Sequence, residues 1–187
     1  MIYISKGIVK PGSTEDNIQI IRSGQAFTLT GLNAQLWLDG RYNFNTVNDD
    51  IPITALKRLA RMGLVETEDE DSPVSKYRIL TRCVLCAAKN KTGGISVNGT
   101  ERIIHNWIRD AGVHLTVAEL IYLQENSVKP EPKYLYAENR QTLIERIYTQ
   151  NTIMDNILEC QMEAASCRDY VVDTLIALLK KKRILIL

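Results

Sequence analysis

Between Ile51 and Val65 the chain reads IPITALKRLARMGLV, and Ile53, Leu56, Leu59 and Ala60 recur at the three- and four-residue spacing of one helical face. Pro52 suits the first turn, Asp50 is a candidate cap, and Gly63 is a stop. Upstream, Ile2 to Val9 is β-rich and is halted by Pro11 and Gly12, and the following STED predicts a short helix or turn reaching Arg22. Thr30 is placed to cap GLNAQLWLDG, in which Leu32, Leu36 and Trp37 lie toward one face before Gly40. Downstream, Leu64–Thr67 and Val74–Leu85 read as two strands flanking the acidic EDEDSP, which predicts a β-hairpin over 64–86.

Similar patterning returns in the second half. GIVKPGSTEDNIQIIRSGQAFTLT (7–30) echoes GISVNGTERIIHNWIRDAGVHLT (94–116) at offsets of 87 and 86, and LKRLARMGLV (56–65) echoes IALLKKKRIL (176–185) if the second copy holds an insertion of about thirty residues. Two domains are therefore expected, 1–91 and 92–187, each near the lower size that supports its own core. In the second, Gly94–Val97 is a predicted strand, Thr100 is placed to cap a helix with the stripe Ile103, Ile104, Trp107 and Ile108, and Thr116 to cap VAELIYLQEN. Apolar residues from 143 to 162 recur at helical spacing as an inserted segment, and CRDYVVDTLIALLKKKR is a helix apolar around most of its circumference. ILIL then supplies one strand and leaves no residues for a returning one, so the second copy is expected to lack the hairpin of the first.

Helix, turn, helix and hairpin is the order of a winged helix. The stretch MGLVETEDED…SKYRIL resembles the helix-to-wing junction of bacterial winged-helix regulators such as the multiple-antibiotic-resistance and PadR-like groups, over roughly Thr28 to Cys86. The resemblance implies an α+β, helix-rich fold of two winged-helix-like units. It also implies a recognition helix at 51–62 that enters the major groove of double-stranded DNA beside a wing at 64–86. The residues expected to touch DNA are Thr54, Lys57, Arg58 and Arg61, opposite the apolar stripe, with Lys76 and Arg78 on the returning wing strand.

Charge limits that reading. The net charge is +1, with twelve Lys and Arg against ten Asp and Glu in 1–91 and eleven against twelve in 92–187, so any polyanion contact must be local. Glu66, Glu68, Asp69, Glu70 and Asp71 at the wing tip would repel phosphate. No catalytic or nucleotide-binding signature accompanies the pattern, and neither an enzymatic activity nor a cofactor is expected. Cys83 and Cys86 form a CxxC in a β-rich run without knuckle glycines, Cys160 and Cys167 lie seven apart on predicted helix, and His105 and His114 lack ligand-spaced neighbours, so no metal site is expected. The longest apolar runs are too short to span a bilayer and the start lacks a signal peptide's apolar region, giving a cytoplasmic expectation with no membrane contact.

The leading expectation is a DNA-binding transcription regulator whose second unit forms a homodimer through residues 138–187. The alternatives are a tandem winged-helix protein for protein–protein contacts, similar in size and doubling to segregation and condensation protein B, and a plasmid replication initiator.

Overall fold

The structure is a computed structural model of the 187-residue chain and describes residues 1–47, 52–88, 97–111, 116–125 and 162–187. It is α+β: small antiparallel sheets and, among the described residues, six helices. The chain divides into two compact units, the first comprising Met1–Cys83 with Leu185–Leu187 and the second Val84–Ile184.

In the first unit, β1 (Ile2–Ser5) lies between β5 (Asn45–Thr46) and β6 (Val65–Glu68), antiparallel to both, with Ile2 opposite Glu68 and Ser5 opposite Val65. A second sheet runs in the order β2 (Ile8–Val9), β3 (Asn17–Arg22), β4 (Gln25–Thr30). Helix α1 (Gly31–Asp39) packs on β1, β3 and β4, and α2 (Ile53–Arg61) packs on α1 and β6. The core gathers Tyr3, Ile18, Ile20, Leu29, Leu36, Trp37, Leu56, Leu59 and Leu64. Trp37 Nε1 donates to the Lys6 carbonyl at 3.1 Å, so the indole is buried with its donor satisfied.

Two expectations for this unit are corrected. The segment ending at Arg22 is strand, not helix. NIQIIR and QAFTLT are joined by Ser23–Gly24, both at positive φ (49° and 78°), the two-residue connection whose twist matches its flanking strands. Burial in β3 alternates strictly, with Ile18 and Ile20 inward and Gln19 and Ile21 outward. The wing at 64–86 is the second correction. Only its first arm is strand (β6); the second is helix α3 (Pro73–Thr81), followed by β7 (Leu85–Ala87). Ser72 accepts the Ser75 N–H at 3.1 Å and Pro73 occupies the first turn, an N-terminal signal that outweighs the apparent alternation of VSKYRIL. Tyr77 and Leu80, three apart, are both buried.

In the second unit α4 (Gly99–Ala111), α5 (Val117–Glu125) and α6 (Met162–Lys180) pack together. Both shorter helices open with a reciprocal capping box. Asn98 Oδ1 accepts the Glu101 N–H (2.8 Å) while Glu101 accepts the Asn98 N–H (3.0 Å), and Thr116 and Glu119 exchange the same pair (3.2 and 2.7 Å). Thr116 thus caps α5 as its position predicts, whereas Asn98, not Thr100, caps α4. The strand β8 (Ile184–Ile186) follows α6. The predicted strand at 94–97 lies almost wholly outside the described residues, as does the inserted segment.

The internal echo divides in the same way. Ile21 and Arg22 are in β3 while their counterparts Ile108 and Arg109 are in α4, so the early part of the likeness joins unlike elements. The later parts join like ones. Thr30 and Thr116 each stand at the start of a helix, α1 and α5, although only Thr116 caps its helix with its side chain. Both α2 and α6 end in a left-handed residue, Gly63 (φ 69°) and Lys182 (φ 55°). The next N–H then reaches back to the same position, Leu64 to the Leu59 carbonyl (2.9 Å) and Arg183 to the Leu178 carbonyl (2.8 Å). The matching offset is 119, which pairs the buried Leu56 and Leu59 with the buried Leu175 and Leu178 and shifts the sequence alignment by one residue.

Candidate nucleic-acid interface

Helix α2 is the most clearly two-sided helix of the first unit. Leu56 and Leu59 are fully buried, and Thr54, Lys57, Arg58 and Arg61, at spacings of three, four and seven, are exposed along the opposite side. Ile53 departs from the expected stripe: it is 48% exposed, because it is the first helical residue and turns outward beside Thr54. The candidate cap Asp50 lies outside the described residues, and Pro52 at the cap position accepts no side-chain hydrogen bond.

Lys57, Arg58 and Arg61 have no ion-pair partner among the described residues. The acidic residues that follow α2 in sequence are largely engaged elsewhere. Glu66 pairs with the buried Lys6 and with Arg82 (3.2 Å to Nε), Glu68 with Arg82 (2.8 Å), and Asp71 with Lys76 (2.7 Å). Three of the five carboxylates expected to repel phosphate are thus neutralised at contact range, while Asp69 and Glu70 stay exposed.

Lys76 and Arg78 do not stand on a wing strand. They belong to α3, where Lys76 is half-buried against Asp71 and Arg78 is exposed. Both α2 and α3 pack on β6. Arg41 lies against the Trp37 and Tyr42 rings, 5.5 and 4.7 Å from their centroids, an arrangement that fixes a guanidinium by cation–π contact.

Cys83 donates its thiol to the Ile79 carbonyl (3.1 Å), and burial pushes its pKa up to about 12, so at neutral pH it is a protonated, packed thiol. Among the described residues no three His, Cys, Asp or Glu gather to hold a metal ion; Cys160 and His114 fall outside them. No helix among the described residues is long and apolar enough to cross a membrane.

In the second unit Lys181 donates to both Glu101 oxygens (2.7 and 2.6 Å), which holds that carboxyl below its usual range. His105 is held below its ordinary pKa by burial and by Arg109. The aliphatic residues of α6 proposed to pair two chains are consumed within the unit: Val171, Val172, Leu175, Leu178 and Leu179 are buried, and Tyr170 alone among its described large apolar residues stays exposed. The rest of 138–187, through 161, lies outside the described residues.

A groove of about 540 Å³ in the first unit corresponds to no pattern in the sequence. Glu15, Asp16, Leu32, Gln35, Leu38 and Asp39 line it. Asn17 pairs with Thr30 across β3 and β4, which brings the Glu15–Asp16 turn to the start of α1. Residues fifteen or more positions apart form it, so no local motif could announce it.

Comparison with known proteins finds no family model, curated protein or solved structure that this chain matches.

Proposed function

We propose that the chain is a DNA-binding protein, a transcription regulator in its cellular role, and that the exposed face of α2 is what meets the duplex. The observation that carries this reading is three cations, Lys57, Arg58 and Arg61, aligned on one exposed helical face without counter-ions among the described residues. A helix presenting such a face can lie in a major groove, with Lys and Arg on phosphates and Thr54 or Arg58 at base edges. The engagement of Glu66, Glu68 and Asp71 by Lys6, Arg82 and Lys76 supports it by muting nearby negative charge.

The test is a titration of fluorescein-labelled random-sequence 24-base-pair duplex at several salt concentrations, on wild type and on K57A/R58A/R61A. Each lost phosphate contact makes the slope of log K against log salt shallower by about 0.9, so the triple variant changes it by about 2.7 with all three cations on phosphates and by about 1.8 with Arg58 at a base edge. The three side chains point away from Leu56 and Leu59, so the variant keeps the wild-type melting transition. An unchanged slope, or equally weak binding by both proteins, overturns the reading.

A further inference from the structure

The first unit carries two faces of opposite sign. On α2, Lys57, Arg58 and Arg61 follow the exposed Ile53 (48%). In the α1 groove, Glu15, Asp16 and Asp39 surround the exposed Leu32 (45%), and no Lys or Arg lines it. None of these three carboxylates has a hydrogen-bond or ion-pair partner among the described residues, unlike Glu66, Glu68 and Asp71. The match is in number as well as sign: three cations beside one outward aliphatic side chain, three carboxylates beside another.

We propose that the α2 face of one copy seats against the α1 groove of a second copy, so that the chain associates head to tail. The occupant is fixed by charge complementarity. A phosphate backbone is repelled by the groove, whereas a helix with Lys and Arg at spacings of three and four beside Ile53 offers cations to the carboxylates and an aliphatic contact to Leu32 and Leu38. The interface uses different patches on the two copies, which makes it heterologous: an open assembly always keeps one free face of each kind, one at each end, and growth continues until a ring closes or the chain of copies ends. The α2 face is the one assigned above to DNA, so duplex and second copy compete for it, but the self-contact stands without the DNA reading.

Sedimentation velocity on the full chain tests this. At about 0.1 M NaCl, where the screening length is about 10 Å, wild type shows a mass that grows with protein concentration up to about 100 µM; at about 1 M, where it is about 3 Å, the growth is lost. Neutralising either face, by E15Q/D16N/D39N or by K57Q/R58Q/R61Q, gives a monomer. Because every substituted residue is exposed, melting transitions stay at the wild-type position. An equimolar mixture of the two variants regains a species of two chains and goes no further, since each supplies one intact face. A monomeric wild type at low salt, self-association persisting in either variant, or a mixture that fails to pair overturns the proposal.

Labelled duplex added to wild type separates the two readings. Dissolution of the assembly as DNA binds supports the shared face, and assembly without any DNA binding leaves the head-to-tail contact standing while removing the regulator. An assembly that binds duplex and stays intact counts against α2 as its seat.

Discussion

Glu101 joins two structural tasks in one carboxylate, and substitution can separate them. It accepts the Asn98 N–H that opens α4, and it receives Lys181 just beyond the end of α6, eighty positions away in sequence. Its side chain is only 8% exposed, whereas that of Lys181 is 26% exposed and can turn to solvent if abandoned. Glu101→Gln keeps an acceptor for the capping box but removes the charge. Charge-assisted hydrogen bonds contribute about 1.5 to 3 kcal/mol each when enclosed, and the partial exposure of Lys181 lowers the expected cost of the Gln variant to about 1 to 1.5 kcal/mol. Glu101→Ala removes the cap as well and costs about 1 kcal/mol more.

Urea unfolding in a Trp37→Phe background follows the second unit through Trp107, which is buried in α4 and is the only other tryptophan. The pH dependence carries the stricter test. The folded pKa of Glu101 is lowered, so its contribution is present above the unfolded value of about 4.3 and is lost as pH falls through the folded value. The gap between wild type and Glu101→Gln is therefore full at pH 7 and closes in acid. His105, also held below its ordinary value, acts in the same direction at milder acidity, because the unfolded chain takes up its proton first as pH falls below about 6.5, but it does so equally in both proteins. A Gln variant as stable as wild type at pH 7, or a gap that persists unchanged at pH 3, refutes the ion pair as a stabilising contact.

The matched helix ends give a prediction of opposite signs. Gly63→Ala places a side chain at φ 69° and its Cβ against the Arg22 guanidinium, so it destabilises by about 1 to 2 kcal/mol in thermal unfolding, while Lys182→Gly relieves φ 55° and stabilises by up to about 1 kcal/mol; the same sign for both would refute the shared geometry. Cys83, with its pKa at about 12, resists alkylation by iodoacetamide at pH 8 in the folded chain and reacts once the chain is unfolded in urea, as read by mass spectrometry of its peptide; rapid labelling in the native state would show that the thiol is not enclosed.

Where apolar spacing and a cap agree, sequence led directly to structure. Leu56 and Leu59 mark the inward side of α2, and Thr116 with Glu119 starts α5. Where two local signals conflict, the weaker one misled. VSKYRIL reads as alternating, yet Ser72 and Pro73 begin a helix there, and Ser23–Gly24 outweighs the helix-like start at STED by turning one strand into the next. The basic face of α2 was legible because Lys57, Arg58 and Arg61 share one helix. The acidic groove on α1 was not, since Glu15, Leu32 and Asp39 meet only after a hairpin and a helix have folded together.

Residues 185–187 belong with the first unit although about a hundred positions separate them from Cys83, and the Gly7 N–H donates to the Ile186 carbonyl at 2.9 Å. During synthesis on the ribosome, β1 to α3 emerge long before that acceptor exists, and the bend between β1 and β2 waits with an open donor while the whole second unit is translated. Contacts so remote along the chain close late and slow the final folding step. Fragments cut after Cys83 would carry the α2 face but not this closure, and the order of folding at the ribosome would run from the interior of the first unit, through the second, and back to Gly7.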